Sequence, residues 1–89
     1  MKDLKRAIDL ITVEKLEKVF SFLKWRELDV LMNGRVRQFV SPDDEYVALI
    51  PLVKEFSDYY RVMGETLQSI ASFENRSIEA LVNRILNPS

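Results

Sequence analysis

The apolar residues of this chain change their spacing twice, and these two changes restrict the fold more than any other feature of the sequence. Up to Leu23 they recur three and four residues apart, as on one face of a helix. Leu28 to Met32 is then a short β-compatible run, and the Asn33-Gly34 that follows is the strongest short hairpin signal. Arg35-Val36-Arg37-Gln38-Phe39-Val40 reads as a second strand, rich in β-branched and aromatic residues. Ser41-Pro42-Asp43-Asp44 reads as a turn with proline setting φ, and Glu45-Tyr46-Val47-Ala48-Leu49-Ile50 as a third strand closed by Pro51. From about Lys54 the helical spacing returns. Three strands joined by short turns predict an antiparallel meander, and helix must cover one face of so small a sheet. The expected class is α+β: N-terminal helices, a three-stranded antiparallel meander, a long helix and a short C-terminal helix.

The flanking segments carry their own boundaries. Leu4, Ile8 and Ile11 form one helical stripe, and Thr12 is suited to cap a second helix with Glu14 in its first turn. Val13, Leu16, Val19, Phe20 and Leu23 continue that helix to about Lys24. The long helix, from about Lys54 to Phe73, has a stripe of Phe56, Tyr59, Tyr60, Met63, Leu67, Ile70 and Phe73. This stripe is broad enough to face both the sheet and a partner, so Phe56, Tyr59, Tyr60, Met63 and Leu67 are the candidate protein interface. Tyr59 and Tyr60 diverge by about 100° on a helix, which buries one and exposes the other. Gly64 weakens this helix by about 1 kcal/mol relative to alanine, and either admits a close backbone neighbour or is simply tolerated. Ser77 caps a last helix through Ile78, Leu81, Val82, Ile85 and Leu86, and Asn87-Pro88 ends it.

Eighty-nine residues, 47% apolar and 30% charged, make one domain (1–89), with residues 1–11 readable as a helical appendage. A chain this short has a thin stability margin, which favours self-association or a partner chain. No apolar run reaches the roughly 18–20 residues of a membrane span, so no membrane partner is expected. The absence of cysteine fits a reducing compartment, and the start Met1-Lys2-Asp3-Leu4 does not resemble a signal peptide. A cytoplasmic location is expected.

The chain has no histidine, the commonest proton-transfer group near neutral pH, and no thiol nucleophile. Its two glycines stand in no phosphate-cradling motif, and its serines have no partner base. Asp43-Asp44-Glu45 is the one acidic cluster and lies in a turn, where acids are common. Catalysis, cofactor and metal are therefore not expected. Charge is uneven: residues 1–40 hold nine bases against six acids, residues 41–89 four against eight. Arg35 and Arg37 stand two apart on a strand, about 7 Å, with Lys24 and Arg26 before the first strand. These four are the candidate surface for nucleic acid or an acidic partner, the alternative being a solvated face that aids solubility.

Two resemblances follow from these segments. Leu16-Glu17-Lys18, Leu23-Lys24-Trp25, Gly34, Ser41-Pro42-Asp43 and Val47-Ala48-Leu49-Ile50-Pro51 make residues 13–52 resemble HicA-type mRNA interferases, whose domain is similar to double-stranded-RNA-binding folds. In that family the glycine precedes a histidine required for RNA cleavage. Here Gly34 leads into Arg35-Val36-Arg37, so the resemblance implies a fold without the nuclease activity. Leu67-Gln68-Ser69-Ile70-Ala71 with Asn75-Arg76-Ser77-Ile78 through Leu86 looks like the helix-turn-helix half of ribbon-helix-helix repressors, many of them antitoxins. The strand corresponding to that family's DNA-reading ribbon, Tyr46 to Leu52, has no base and follows three acids. The expectation is a non-catalytic interaction or regulatory module of toxin–antitoxin type or another multi-subunit bacterial system, acting as a homodimer or small subunit. The alternative is a nucleic-acid-binding regulator of ribbon-helix-helix or double-stranded-RNA-binding-like type.

Overall fold

The computed structural model describes residues 4–31, 34–53, 55 and 57–87. Its elements run α1 (Leu4–Leu10), α2 (Val13–Phe22), β1 (Arg26–Leu31), β2 (Val36–Val40), β3 (Val47–Pro51), α3 (Tyr59–Glu74) and α4 (Ile78–Leu86). The three strands form one antiparallel sheet in the order β1-β2-β3, so the α+β meander expected from the sequence is the architecture of the chain.

Local chemistry sets most boundaries. Thr12 does break the N-terminal helical stretch: its hydroxyl accepts the Lys15 N–H and starts α2. Ser77 does the same for α4 through the Ala80 N–H. The ends of α2 and α3 share one device, a residue in the left-handed region followed by hydrogen bonds back into the last turn. At α2 the residue is Lys24 (φ 67), with its N–H on Ser21 O and the Trp25 N–H on Phe20 O. At α3 it is Asn75 (φ 56), with bonds from Asn75 to Ser72 and from Arg76 to Ala71. In the first case the indole of Trp25 also lands on Phe20, 5.1 Å between ring centroids.

Several expected boundaries move, and β1 starts at Arg26, two residues before the apolar run at Leu28. The first hairpin closes at Leu31 opposite Val36, which leaves residues 32–35 between the strands; Met32 and Asn33 lie outside the described residues. The third strand starts at Val47 rather than Glu45, because the Ser41 hydroxyl takes the Tyr46 N–H and extends the turn to that point. The long helix starts at Tyr59, and Lys54 and Phe56 lie outside the described residues.

Residues opposite each other in an antiparallel pair share a face. Phe39 faces Ala48 and Arg37 faces Ile50, so these four point to one side of the sheet. On that side Phe39, Ala48 and Ile50 join a core to which all four helices contribute, including Ile8 of α1, Phe20 of α2, Leu67 of α3 and Leu81 of α4. Ala7, Ile8 and Ile11 are buried in this same core. Tyr60 adds a polar tie between α1 and α3, its hydroxyl donating to Asp9 Oδ1 at 2.6 Å. The outer edge of β3 is closed by α3: the buried Thr66 hydroxyl accepts the Leu49 N–H at 3.0 Å and donates to the Leu49 carbonyl.

Gly64 admits no close neighbour. A methyl group there would meet its nearest atom, Leu4 Cδ2, at 3.9 Å, which is ordinary contact. Gly64→Ala should therefore raise stability by about 0.5–1 kcal/mol through helix propensity and loss of unfolded-state freedom. Lys24→Gly should do so by a similar amount, about 0.5–1 kcal/mol, by relieving a left-handed non-glycine residue. Thermal unfolding followed by Trp25 fluorescence checks both; each gain corresponds to a rise in Tm of roughly 2–8 °C.

Candidate docking surface

The four bases expected to form a binding patch are separated by the fold. Arg37 lies on the helix-covered side, its side chain 20% exposed, and all its nitrogens are engaged. Nε and Nη2 each donate to the Glu27 carboxylate at 2.8 Å, Nη1 donates to Glu17 at 3.0 Å, and the guanidinium sits 5.2 Å from the Phe39 ring centroid. It joins α2, β1 and β2, and its two carboxylate partners keep it charged. Arg26 pairs with Asp44 of the β2–β3 turn. Lys24 supplies the left-handed residue that ends α2, and Arg35 lies in the first hairpin turn; both are exposed and neither forms an ion pair among the described residues. Two of the four cations thus have acidic partners within the chain.

The acidic turn is likewise satisfied internally. Asp43 Oδ1 accepts from the Ser41 hydroxyl and the Glu45 N–H, which hold this carboxyl below the usual range. Asp44 takes Arg26. Among the described residues no group of three or more acidic side chains is placed to hold a metal ion.

The apolar stripe of α3 also differs from expectation. Tyr59, Met63 and Leu67 were candidates for a subunit contact, but they are buried in the chain's own core. The reason is that α3 meets the sheet along β3 and α1 and α4 on its other flanks, so one long helix serves three neighbours within the chain. Tyr60 is 37% exposed, with its hydroxyl on Asp9; Phe56 lies outside the described residues.

Exposed apolar surface is found elsewhere. Among the described residues Leu28, Val30, Leu31, Val47, Leu52 and Val53 are exposed, all in β1, β3 or the two residues after β3. Leu10, Phe22 and Tyr60, also exposed, are scattered over three helices. The side of the sheet away from the core carries Arg26, Leu31, Val36, Gln38, Val40, Val47, Leu49 and Pro51, as the pairings Arg26↔Val40↔Val47, Gln38↔Leu49 and Leu31↔Val36↔Pro51 require. Val36, Val40 and Pro51 are buried there, Gln38 and Leu49 half-buried, and Arg26, Leu31 and Val47 exposed. Leu28 and Asp29 face Gln38 together, where the register slips by one residue. Between this face and α3 lies a trough of about 330 Å³, in which Leu31, Val47 and Leu49 oppose Val62 and Thr66. Arg61 and Glu65, paired at 2.7 Å, stand on its rim.

A sign of this surface was present in the sequence. Val47-Ala48-Leu49-Ile50 is apolar at both parities of the strand, whereas a sheet wetted on one face needs only alternate apolar residues. No helix of the described residues is long and apolar enough to cross a membrane. No protein-family model, no curated protein and no solved structure matches the chain.

The roles of the arginines are separable by substitution. Arg37→Ala should destabilise the domain by about 1–2 kcal/mol, since it removes charge-assisted bonds whose carboxylate partners are then free to hydrate. Arg35→Ala should fall within about 0.5 kcal/mol of wild type. Urea unfolding measures both.

The acid side of the stability curve offers a second check. Glu27 is held below its usual pKa by the Arg37 bond, as Asp43 is by Ser41, so each binds its proton less readily folded than unfolded. The stability they lend is complete above the ordinary carboxylate range, near about pH 4, and is lost as pH falls through their lower folded values. The loss of stability between about pH 6 and pH 3 should therefore be shallower in Arg37→Ala and Ser41→Ala than in wild type.

Proposed function

We propose that the chain is a non-catalytic protein-interaction module that pairs with a second copy of itself through the outer face of its sheet, at the trough between that face and α3. The observation that carries this reading is the placement of apolar side chains on β3: Ala48 and Ile50 serve the core, and Val47 and Leu49 turn to the opposite face, where Val47 is exposed and Leu49 is half-buried in a trough beside Val62 and Thr66 of α3. A strand that is apolar at both parities is characteristic of burial on both sides. The two charged residues lining the trough, Arg61 and Glu65, pair with each other. A two-fold contact places the same patch on both partners, and a neutral patch of this kind avoids like-charge repulsion there.

A regulatory role of toxin–antitoxin type, in a dimer or as a small subunit, is the biological setting that the two sequence resemblances suggest for such a module. The nucleic-acid reading has less support, because Arg26 and Arg37 already have acidic partners.

Sedimentation velocity across the micromolar range tests the proposal. Wild type should sediment as a dimer, and Leu31→Asp combined with Val47→Asp should give a folded monomer. A wild-type chain that remains monomeric throughout would refute self-association by this face.

A further inference from the structure

A second surface, on the helical side of the molecule, combines apolar and basic character. Between α2 and α4 lies an open groove of about 420 Å³. Its floor is Val19 of α2 with Leu81 and Ile85 of α4, and its rim carries Lys15, Lys18 and Arg84. Phe22 forms one wall. At 70% exposure it is the most exposed large apolar side chain among the described residues.

Two details give this groove a chemical preference. The Arg84 guanidinium stands 5.3 Å from the Phe22 ring centroid, and its Nη1 donates to Glu74 Oε2 at 2.9 Å. Glu74 is the one carboxylate lining the groove, its side chain is 9% exposed, and it also binds Arg76 at 2.9 Å. Its charge is therefore offset from two sides, while Lys15 and Lys18 form no ion pair among the described residues. Phe22 stands on the last turn of α2, one helical turn beyond Lys18, so an exposed aromatic and two lysines follow one another along a single helix. Phe22 remains 70% exposed beside the apolar floor although Arg84 stacks on it, and the lysines at the rim would serve an anionic ligand rather than a purely apolar one.

We propose that the α2–α4 groove docks an acidic peptide segment of a partner protein. One or two large apolar side chains of that segment lie against Phe22, Leu81 and Ile85, and its carboxylates lie against Lys15 and Lys18. The complementarity is electrostatic at the rim and apolar at the floor, the arrangement by which amphipathic helices occupy grooves between helices. The groove shares no lining residue with the trough at the sheet face, so the proposal does not depend on self-association.

The test uses the full chain and a fluorescein-labelled amphipathic peptide with leucine and phenylalanine on one face and glutamate on the other. Its counterpart, with lysine in place of glutamate, is run in parallel. Fluorescence anisotropy should show binding of the acidic peptide, weakening as salt rises, and no binding of the lysine peptide. Phe22→Ala, and Lys15→Glu with Lys18→Glu, should each weaken binding by about tenfold or more, with far-UV circular dichroism unchanged. Leu31→Asp on the sheet face should leave it unaltered. The proposal is overturned if the acidic peptide does not bind, if both peptides bind alike, or if neither groove variant weakens binding. It is equally overturned if the chain binds anionic phospholipid vesicles or duplex RNA through Lys15 and Lys18 in preference to the peptide.

Discussion

A chain of aromatic contacts holds this domain together. Phe39 of β2 stacks on Phe20 of α2 at 4.4 Å, Phe20 meets Trp25 at 5.1 Å, Trp25 meets Phe73 of α3 at 5.3 Å, and Phe73 meets Tyr46 at 6.1 Å. Five rings thereby join the middle strand, the second helix, the residues just before β1 and β3, and the end of the long helix. Each such pair adds about 0.5–1.5 kcal/mol beyond the apolar area it buries. That sum matters in a domain whose total stability is of order 5–15 kcal/mol. The left-handed Lys24 is what permits the sharp turn that puts Trp25 back on Phe20, so a backbone feature at the end of α2 and the aromatic core are one construction. Trp25 Nε1 is buried without a hydrogen-bond partner among the described residues. The indole is therefore placed for its packing, at some cost in unsatisfied polarity.

The helices cover one face and one edge of the sheet. At the β3 edge Thr66 supplies both halves of the pairing that Leu49 would otherwise make with another strand, and Pro51 has no N–H to offer. β1 lies at the opposite edge and all six of its residues are exposed; its register slip between Glu27 and Val30 bends the strand, a feature that discourages simple strand addition. The apolar side chains that remain exposed on the outer face are Leu31 and Val47, at either side of the buried Val36 and Val40. An interaction through side chains of the sheet face is thus better supported by this geometry than one through a strand edge.

The charged residues show how tertiary contacts change the meaning of a sequence pattern. Arg35 and Arg37 share a parity on paper and suggest a two-residue grip on phosphate. In the fold Arg37 joins three elements through Glu17 and Glu27, whereas Arg35 stands in a turn. Its partners are twenty and ten residues away in sequence, so no local rule of helix or strand charge pairing brings them to notice. Lys15 and Lys18, which form no ion pair among the described residues and stand beside apolar neighbours, belong to an amphipathic helix whose polar side has no distinguishing local pattern.

The sequence by itself determined what depends on neighbours a few residues apart. Thr12 and Ser77 as helix starts, the turn built on Ser41-Pro42-Asp43-Asp44, three antiparallel strands and the opposite fates of Tyr59 and Tyr60 all follow from local hydrogen bonding and from apolar spacing. Only the tertiary structure decided how the apolar stripe of α3 was divided. The stripe is as wide as an interface would need, but Tyr59, Met63 and Leu67 face a sheet and two helices of the same chain, and width alone does not tell one neighbour from another. It decided likewise which sheet face joins the core, because the alternation of a strand defines two faces while the choice between them depends on which side the helices pack.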